Sequence, residues 1–311
     1  MAFKQVIDVY ELLDSAYVTG DQAATMLRDA GVSAVTVTKV SNSVGSTDFV
    51  KTMISGTNGK SKGGTAPTLG IIGRLGGVGA RPERIGFVSD GDGALAALAA
   101  AVKLGSMQQK GDTLPGDVII STHICPNAPT RPHDPVPFMS SPIDMETKNA
   151  YEVDPQMDAI LSVDTTKGNR VINCRGFAIS PTVKEGYILR VSEDLLGLMQ
   201  NVSGRLPTVF PLTIQDITPY GNDLYHLNSI MQPCTATTAP VVGVAITTEV
   251  AVPGCATGAT NLADVDAVVR FMVEVAKEFS QGNCRFYDSN EYALLTELYG
   301  SMSHFQKNRK S

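Results

Sequence analysis

One segment of twenty residues, Ile85–Leu104, constrains the fold of this chain more than any other. Its first four residues, IGFV, are apolar and partly β-branched, as in a buried strand, whereas its last twelve are mostly Ala and Leu, as in a packed helix. Between them lies SDGDG, whose glycines permit a sharp turn. The pattern predicts a strand, a turn and a helix, with Asp90 and Asp92 at the carboxyl end of the strand, where open α/β sheets bind ligands.

The two aspartates of this turn have different explanations. Asp92 immediately precedes the predicted helix and can serve as its N-cap, since Asp is a favoured capping residue. Capping does not account for Asp90. Carboxylates at such a turn are also suitable ligands for a metal ion. The turn is therefore a candidate metal site as well as a candidate helix start.

Composition limits the classes of function. The 311 residues include 43% hydrophobic and 18% charged residues, which is enough apolar material for a full core. The net charge of −6 argues against nucleic acid and against an anionic membrane surface as partners. No run of eighteen apolar residues exists, and acidic residues interrupt the first eighteen. We therefore expect a cytoplasmic protein without nucleic-acid or membrane partners that assembles as a homo-oligomer.

Helical and strand patterns alternate along the chain. The predicted helices span two segments within 8–30, then 92–107, 191–201, 262–279 and 289–304. Besides residues 85–88, the predicted strands span 32–40, 116–123, 157–163, 208–214 and 240–248. Because most of these strands are continuously apolar, we expect a mostly parallel sheet covered by helices on both faces.

No linker divides the chain, so the sequence predicts a single α/β domain over residues 1–311 with two insertions. Residues 41–84 are rich in glycine and predict turn-rich backbone or a mobile loop. Residues 124–150 are rich in proline and predict a stiff loop that carries His133 and Asp134.

The glycine-rich segment contains two imperfect phosphate-binding motifs. GTNGKS, at 56–61, ends like a Walker A loop, but only two residues separate its glycines where four are required. GGVGA, at 76–80, lacks the third glycine and the preceding strand of a dinucleotide-binding motif. Neither motif predicts a nucleotide site. The five cysteines form no CxxC pair and predict neither a zinc ribbon nor a disulfide framework.

Four predicted strands each end in a polar group. In chain order these groups are Asp90 with Asp92, Thr122 with His123, Asp164, and Gln215 with Asp216. The carboxyl ends of parallel strands lie at one edge of a sheet, so we expect the groups to converge. Carboxylates and a histidine suit zinc, with manganese or magnesium as the other candidates. A single Asp or His at a strand end is usually a turn or core residue, and only the conjunction points to a site.

Several motifs resemble the co-catalytic zinc aminopeptidases of the glutamyl and deblocking type. They are SDGDG before the Ala/Leu helix, GDVIISTH, MDAILSVDTT and TTAPVVGVAI. The resemblance covers roughly residues 85–280 and implies the zinc-peptidase (phosphorylase/hydrolase-like) architecture. It implies that Asp90 or Asp92 bridges two metals and that Asp164 binds one of them. It places His123 where that family has paired glutamates, and the early ligand pair is matched best by Asp48.

The chain departs from that family at two positions. The paired glutamates are missing, so no general base is assigned, and the late histidine before the final helix is missing too. Over its whole length the chain is more similar to an uncharacterised prokaryotic family, a domain of unknown function in which APTLGIIGRLGG, DTTKGN and QDITPYGN recur.

The aminopeptidase resemblance implies a metal-dependent hydrolase that cleaves an amide or peptide bond of a small substrate. A divalent ion would lower the pKa of water and polarise the carbonyl group. His133, oriented by Asp134, is our candidate for proton transfer, with His123 as the other. Lys167 and Arg131 are candidates for holding a substrate carboxylate or the oxyanion.

Two alternatives remain open from the sequence. The DxDG turn also fits phosphatases of the haloacid dehalogenase superfamily, with Asp90 as nucleophile, Asp92 as acid and base, and magnesium between them. However, that family usually has Thr at the position of Ala94, and a later acidic pair is not evident. The second alternative is a non-catalytic ligand-binding protein on a peptidase-like fold, which the missing glutamates and histidine favour.

Overall fold

The computed structural model describes residues 1–307 and has a nine-stranded sheet at its centre. The strands follow the order β1-β2-β4-β3-β7-β11-β9-β10, and β8 also pairs with β11. Their bounds are β1 Ala34–Ser41, β2 Ser46–Ile54, β3 Leu69–Gly73, β4 Val118–Ile124, β7 Ala159–Thr166, β8 Gly176–Ile179, β9 Val183–Lys184, β10 Tyr187–Ile188 and β11 Val241–Thr247. A separate two-stranded hairpin consists of β5 Thr130–Arg131 and β6 Phe138–Met139.

The four central strands, β4, β3, β7 and β11, are parallel to their neighbours within this group. The outer strands β2, β8 and β9 pair with it antiparallel. The central strands are completely buried, as their continuously apolar sequences predict. Side chains alternate between the two faces: Ile71 packs into the larger core cluster, and Ile72 into the smaller one on the other side.

Seven α-helices cover the sheet. They are α1 Phe3–Leu13, α2 Gly20–Asp29, α3 Asp92–Gln109, α4 Met145–Glu152, α5 Glu193–Ser203, α6 Leu262–Ser280 and α7 Ser289–Tyr299. On one face α3 packs against β3, β4 and β7, and α1, α2 and α6 pack around it. On the other face lie α4 and the 3-10 helix Ser229–Ala236. The predicted α/β architecture, with helices on both faces of a largely parallel central sheet, is confirmed.

Helix α3 follows directly from its sequence. Of its eighteen residues, Asp92 through Val102 are buried, so the helix is apolar on all sides and lies inside the core. The small alanines allow it to approach the strands closely. At Gly93, an added Cβ would lie 2.1 Å from the carbonyl oxygen of Arg74. This close approach brings the start of α3 onto the ends of β3 and β7.

Three predictions of local structure were wrong. Residues 85–88 form no strand; Val88 makes only an isolated bridge to Thr257, and a short 3-10 turn leads into α3. Residues 208–214 make one bridge, between Val209 and Ile179, and no strand. The glycine-rich segment 41–84 contains β2 and the central strand β3. Since β3 is only five residues long and holds two glycines, its own sequence pattern was too short to outweigh the surrounding turn signals.

The predicted proline-rich loop 124–150 also proves to contain the β5–β6 hairpin and most of α4, because its prolines lie before Met145. The remaining boundaries agree to within about five residues, and the Thr19 capping box begins α2. No helix in residues 1–307 is long and apolar enough to cross a membrane. The expectation of one domain extends to residue 311, and its last four residues lie outside the described residues.

Candidate functional site

The candidate site lies where the chain reverses direction across the sheet. After β3 the chain passes through α3 to β4 on one side, and after β4 it passes through α4 to β7 on the other side of β3. The two connections lie on opposite faces, so a crevice opens at the carboxyl ends of these strands. Arg74 follows β3, His123 lies near the end of β4, and Asp164 lies near the end of β7.

A buried charge network occupies one side of the crevice. Glu152, the last residue of α4, is fully buried and accepts a hydrogen bond from Arg74, which is also buried. Its other oxygen, Oε1, lies 2.5 Å from Nδ1 of His123. Burial alone would raise the pKa of Glu152, but the adjacent Arg74 and His123 lower it to about 2. Glu152 is therefore ionised and connects α4 to β3 and β4.

His123 is held in one orientation by this network. Its Nε2 accepts a hydrogen bond from the backbone N–H of Gly76 at 3.1 Å. Nδ1 must then carry the proton and donate it to Glu152, which assigns the neutral tautomer. Burial lowers the pKa of His123, against the opposing effect of Glu152, and this agrees with a neutral ring. Both ring nitrogens thus have partners within the protein.

Asp90 and Asp164 face each other across the other side of the crevice. Oδ1 of Asp164 accepts from the backbone N–H of Thr165 at 2.6 Å, and Oδ2 accepts from the hydroxyl of Ser229 at 3.2 Å. Burial, and next the negative charge of Asp90, raise the pKa of Asp164 to about 8. Burial likewise raises the pKa of Asp90 to about 7, although Lys167 opposes the shift. The site therefore holds carboxyl groups that resist ionisation at neutral pH.

Asp92 is completely buried at the first position of α3. Its Oδ1 accepts from the Thr260 hydroxyl at 2.7 Å, and its Oδ2 lies 3.5 Å from the Lys167 ammonium group. That second oxygen has no hydrogen-bond partner among the described residues. Burial raises the pKa of Asp92 to about 6, against the opposing charge of Lys167. Asp92 does not cap α3, because no side chain accepts the N–H groups at its start.

A cavity of about 330 Å³ opens beside this cluster. Its polar lining includes Asp90, His123, Lys148, Tyr220 and Ser229. Its apolar lining includes Leu75, Phe138, Met139, Ile143 and Met145. A cavity of this size, mainly apolar with a few polar groups, is typical of small-molecule sites.

Lys148 differs from the other charged groups of the site. It is only 4% exposed, and its ammonium group forms no hydrogen bond or salt bridge within residues 1–307. Burial and next the charge of Arg74 lower its pKa to about 8, although Glu152 and Asp164 oppose the shift. Lys148 is thus a largely buried residue whose accessible ammonium group lies at the cavity without an acidic partner among the described residues, and this position needs a functional explanation.

Five of the eight residues predicted for the site come together: Asp90, Asp92, His123, Asp164 and Lys167 lie at the crevice. Lys167 contacts Asp92 with a side chain that is 8% exposed.

The other three predicted residues lie elsewhere. Asp48 accepts a hydrogen bond from the N–H of Gly20 and faces α2, whereas the next residue, Phe49, stacks on Tyr151 of α4 across the sheet. His133 and Asp134 are exposed in the loop of the β5–β6 hairpin and do not line the cavity.

Asp216 was expected at a strand end and is instead a structural residue. Its Oδ1 accepts from the N–H groups of Leu227 and Asn228, and its Oδ2 accepts from Thr213. Both oxygens are thus used to hold the loop that leads to the Ser229–Ala236 helix.

The sequence analysis missed Arg74, Lys148, Glu152, Tyr220 and Ser229. Lys148 and Glu152 lie four residues apart on α4, which begins within the predicted loop 124–150 and ends just after it. Asp144 does cap this helix by accepting from the N–H of Thr147, and Asp followed by METKNAYE was a usable start signal. Arg74 and Tyr220 lie in irregular segments and Ser229 begins the 3-10 helix, and only the tertiary structure brings these three residues to the site.

Comparison with known proteins supports the fold. The leucine aminopeptidase LAP1 of Caenorhabditis elegans matches with a TM-score of 0.56 and 12% sequence identity. The match covers 89% of this chain and 65% of that chain, so it leaves about a third of the neighbour's length without a counterpart. At this identity the similarity concerns the fold alone. No protein of curated function matches the sequence significantly.

The sequence of residues 38–309 matches the family described as a protein of unknown function, DUF1177. The match includes every strand from β2 to β11 and all the charged residues of the crevice. The chain therefore belongs to the DUF1177 family.

Proposed function

We propose that the protein is a hydrolase that cleaves an amide or peptide bond of a small substrate in the cavity beside Lys148, with a divalent ion held by Asp90, Asp92 and Asp164. The observation that carries the proposal is the grouping of three carboxylates with raised pKa values at the switch point of the sheet, of which Asp92 and Asp164 are buried and Asp90 is half-buried. The peptidase-like fold is consistent with the proposal.

The donor atoms suit a divalent ion in their chemistry. Oδ2 of Asp92 is buried without a hydrogen-bond partner among residues 1–307, and the Asp90 carboxylate accepts no hydrogen bond there. Carboxylate oxygens bind magnesium, manganese and zinc. Within residues 1–307 the side chains form no preassembled group of three His, Cys, Asp or Glu ligands. Support for the ion therefore comes from the donors and their charge and not from a finished coordination shell.

The charges of the crevice are compatible with one ion. Four carboxylates, those of Asp90, Asp92, Glu152 and Asp164, face three cationic groups, those of Arg74, Lys148 and Lys167. His123 is neutral. When all the carboxylates are ionised, negative charge is in excess by one, and a cation would favour that state. This balance argues against the two-metal arrangement that the zinc aminopeptidase resemblance implied.

A divalent ion would supply acidified water and carbonyl polarisation. The chain's own residues have separate tasks. Glu152 and Arg74 hold His123 in one tautomer, so the ring fixes the backbone at Gly76. Lys167 neutralises Asp92. Lys148 provides positive charge at the cavity wall, where it would hold a negatively charged part of the substrate. We assign no proton transfer to His133 or Asp134, because both lie outside the cavity.

The proposal is tested with the purified full-length protein and Asp164→Asn. The pKa of Asp164 is raised, so a neutral amide of the same shape should preserve the fold. We expect elemental analysis to find zinc, manganese or magnesium bound to the wild type, and we expect hydrolysis of aminoacyl amides. Both should be lost in Asp164→Asn and kept in Asp158→Asn, a change at an exposed ion pair with Lys60. Less than about a tenth of an equivalent of metal, with no stabilisation by added metal and no hydrolysis, would refute the proposal.

A second candidate is a ligand-binding protein without catalysis. It is favoured by the absence, within residues 1–307, of a preassembled group of metal ligands and by the engagement of both nitrogens of His123. Binding of a small molecule in the cavity without turnover would identify it. The phosphatase alternative loses its main support, because residues 85–88 form no strand before the DxDG turn.

A further inference from the structure

Among the lysines of residues 1–307, only Lys148 is buried when the exposure of the whole residue is considered. Lys51, Lys60, Lys184 and Lys277 each have an acidic partner, and Lys167 contacts Asp92. Lys148 has no such partner, and it lies on the wall of the cavity. Its ammonium group is not itself fully buried, but it is largely surrounded by protein and has no acidic partner among residues 1–307, so a ligand's negative charge in the cavity would gain from pairing with it.

The structure of α4 shows how Lys148 is kept at this position. Asp144 caps the helix, and Glu152, four residues after Lys148, anchors its other end to Arg74 and His123. Although Glu152 lies one helical turn away, its oxygens are taken by these two partners. No salt bridge joins Lys148 to Glu152 or to another acidic residue within residues 1–307, and its ammonium group remains available to the cavity.

The rest of the cavity restricts what could pair with Lys148. Much of the wall is apolar, with side chains from the β5–β6 hairpin and from the segment leading into α4. Four carboxyl groups lie at or near the crevice, and each negative charge on a ligand adds to the repulsion from those that are ionised, so a ligand with one negative charge is favoured over one with two. A singly charged group attached to an apolar body satisfies both conditions.

We infer that the cavity binds a small monocarboxylate with an apolar substituent, whose carboxylate pairs with Lys148 and whose substituent packs against Phe138, Met139 and Ile143. The inference rests on the proposed function in that it concerns the same site, and it narrows the substrate class. A substrate amide would then carry a free carboxylate, as a dipeptide or an N-acyl amino acid does. A long polypeptide without a nearby terminal carboxylate would be a poor substrate.

The test measures binding directly and without turnover. Calorimetric titration of the full-length protein, in chelator and in added magnesium, uses three probes: hexanoate, its primary amide hexanamide, and inorganic phosphate. We expect hexanoate to bind and to bind at least about tenfold more tightly than hexanamide, because a hydrogen bond to a charged group is worth about 1.5–3 kcal/mol. Phosphate should bind more weakly than hexanoate.

Two variants assign the effect to Lys148. Lys148→Met should weaken hexanoate binding by about tenfold or more and leave hexanamide binding unchanged. Its thermal midpoint should equal or exceed that of the wild type, because an unpaired charge largely surrounded by protein is replaced by an apolar side chain of similar length. Lys184→Met removes a lysine whose side chain is 12% exposed, outside this cavity, and should bind hexanoate like the wild type.

The inference is overturned if hexanamide or phosphate binds as tightly as hexanoate, if Lys148→Met retains hexanoate affinity, or if no probe binds the wild type. Equal losses in Lys148→Met and Lys184→Met would also overturn it. Because no step requires hydrolysis, binding of hexanoate by a protein that hydrolyses nothing would refute the proposed function and support this inference. Hydrolysis of uncharged aminoacyl amides by a protein that does not bind hexanoate would support the proposed function and refute this inference.

Discussion

At the scale of single residues, the crevice combines paired and unpaired buried charges. Glu152 has two cationic or hydrogen-bonding partners and is stabilised as an anion, whereas Lys148 has none and is destabilised as a cation. Both residues lie on α4, one helical turn apart. The two residues differ because Arg74, after β3, and His123, on β4, contact Glu152, whereas no acidic side chain pairs with Lys148 within residues 1–307. The two residues therefore respond differently to mutation and to pH.

Replacing Glu152 by Gln should destabilise the protein strongly. The change leaves the buried guanidinium of Arg74 without its counter-charge, and breaking a buried pair from one side costs about 3–5 kcal/mol. The measurement is the free energy of unfolding in urea. As a control, Glu274→Gln disrupts the half-exposed pair with Lys277 and should change stability by less than about 1 kcal/mol. Equal effects of the two variants would mean that the network does not stabilise the crevice.

Lys148 should make the stability of the protein rise with pH above about 8. Its folded-state pKa is lowered to about 8 from an ordinary value of 10.5, so between these values the unfolded chain binds the proton more strongly. Its contribution to stability is fully present above about 10.5 and is lost as pH falls through about 8. The unfolding free energy of the wild type, relative to that of Lys148→Met, should therefore rise from pH 8 to 10.5, so that any stability advantage of the variant shrinks over this range. If the difference did not change with pH, the pKa of Lys148 would not be lowered in the folded protein.

At the scale of elements, the contact of α3 with the strand ends positions the site. The sequence predicted this helix and placed Asp90 and Asp92 at its start, because an Ala/Leu run after two glycines is a strong local signal. It wrongly predicted a strand before the helix. Residues 85–88 are apolar, but their backbone continues as a connection and not into the sheet. Short apolar runs specify burial and not the element that provides it.

Gly93→Ala should displace the start of α3. The added methyl carbon would lie 2.1 Å from the carbonyl oxygen of Arg74 and 2.8 Å from that of Val163, and backbone atoms cannot turn aside. We expect a loss of about 2–3 kcal/mol in unfolding free energy, measured in urea. Gly197→Ala is the matched control, because Gly197 lies inside α5 with nothing within 4 Å of the added atom. It should gain about 0.5–1 kcal/mol. A neutral Gly93→Ala would contradict the close packing.

At the scale of the whole molecule, the first two helices are part of the core although the family match begins only at residue 38. Helix α1 packs against α3 and α6, and its residues Val6, Val9 and Leu13 are fully buried in the larger core cluster. The N-terminal segment thus covers the helix that carries Asp92. We infer that it folds with the sheet.

Leu13→Ala tests this integration. Removing a fully buried leucine from a shared core should cost about 2–5 kcal/mol of unfolding free energy. Ile7→Ala, on the exposed side of the same helix at 38% exposure, should cost less than about 1 kcal/mol. Circular dichroism during urea unfolding gives both values. If Leu13→Ala melted only a small part of the helical signal and left the main transition in place, α1 would be an independent appendage.

The sequence by itself determined the elements with strong local patterns. Strands β4, β7 and β11 are buried on both faces and are therefore apolar throughout, whereas α6 is buried on one face and is therefore apolar with a helical period. These patterns made the positions of the elements and the α/β class predictable. Strand-end positions also predicted that His123 and Asp164 would lie at one edge, because parallel strands end there. Asp90 lies at the same crevice but belongs to the turn before α3 and not to a strand end.

Only the tertiary structure decided which charges pair. Arg74 meets Glu152 across 78 residues of chain, and Asp48 faces away because neighbouring residues of a strand point to opposite faces. Pairing of this kind depends on distances between elements, which no local pattern contains. For the same reason, nothing in the sequence marked Lys148 as a buried lysine without a partner, since burial and lack of a partner are properties of the packed molecule.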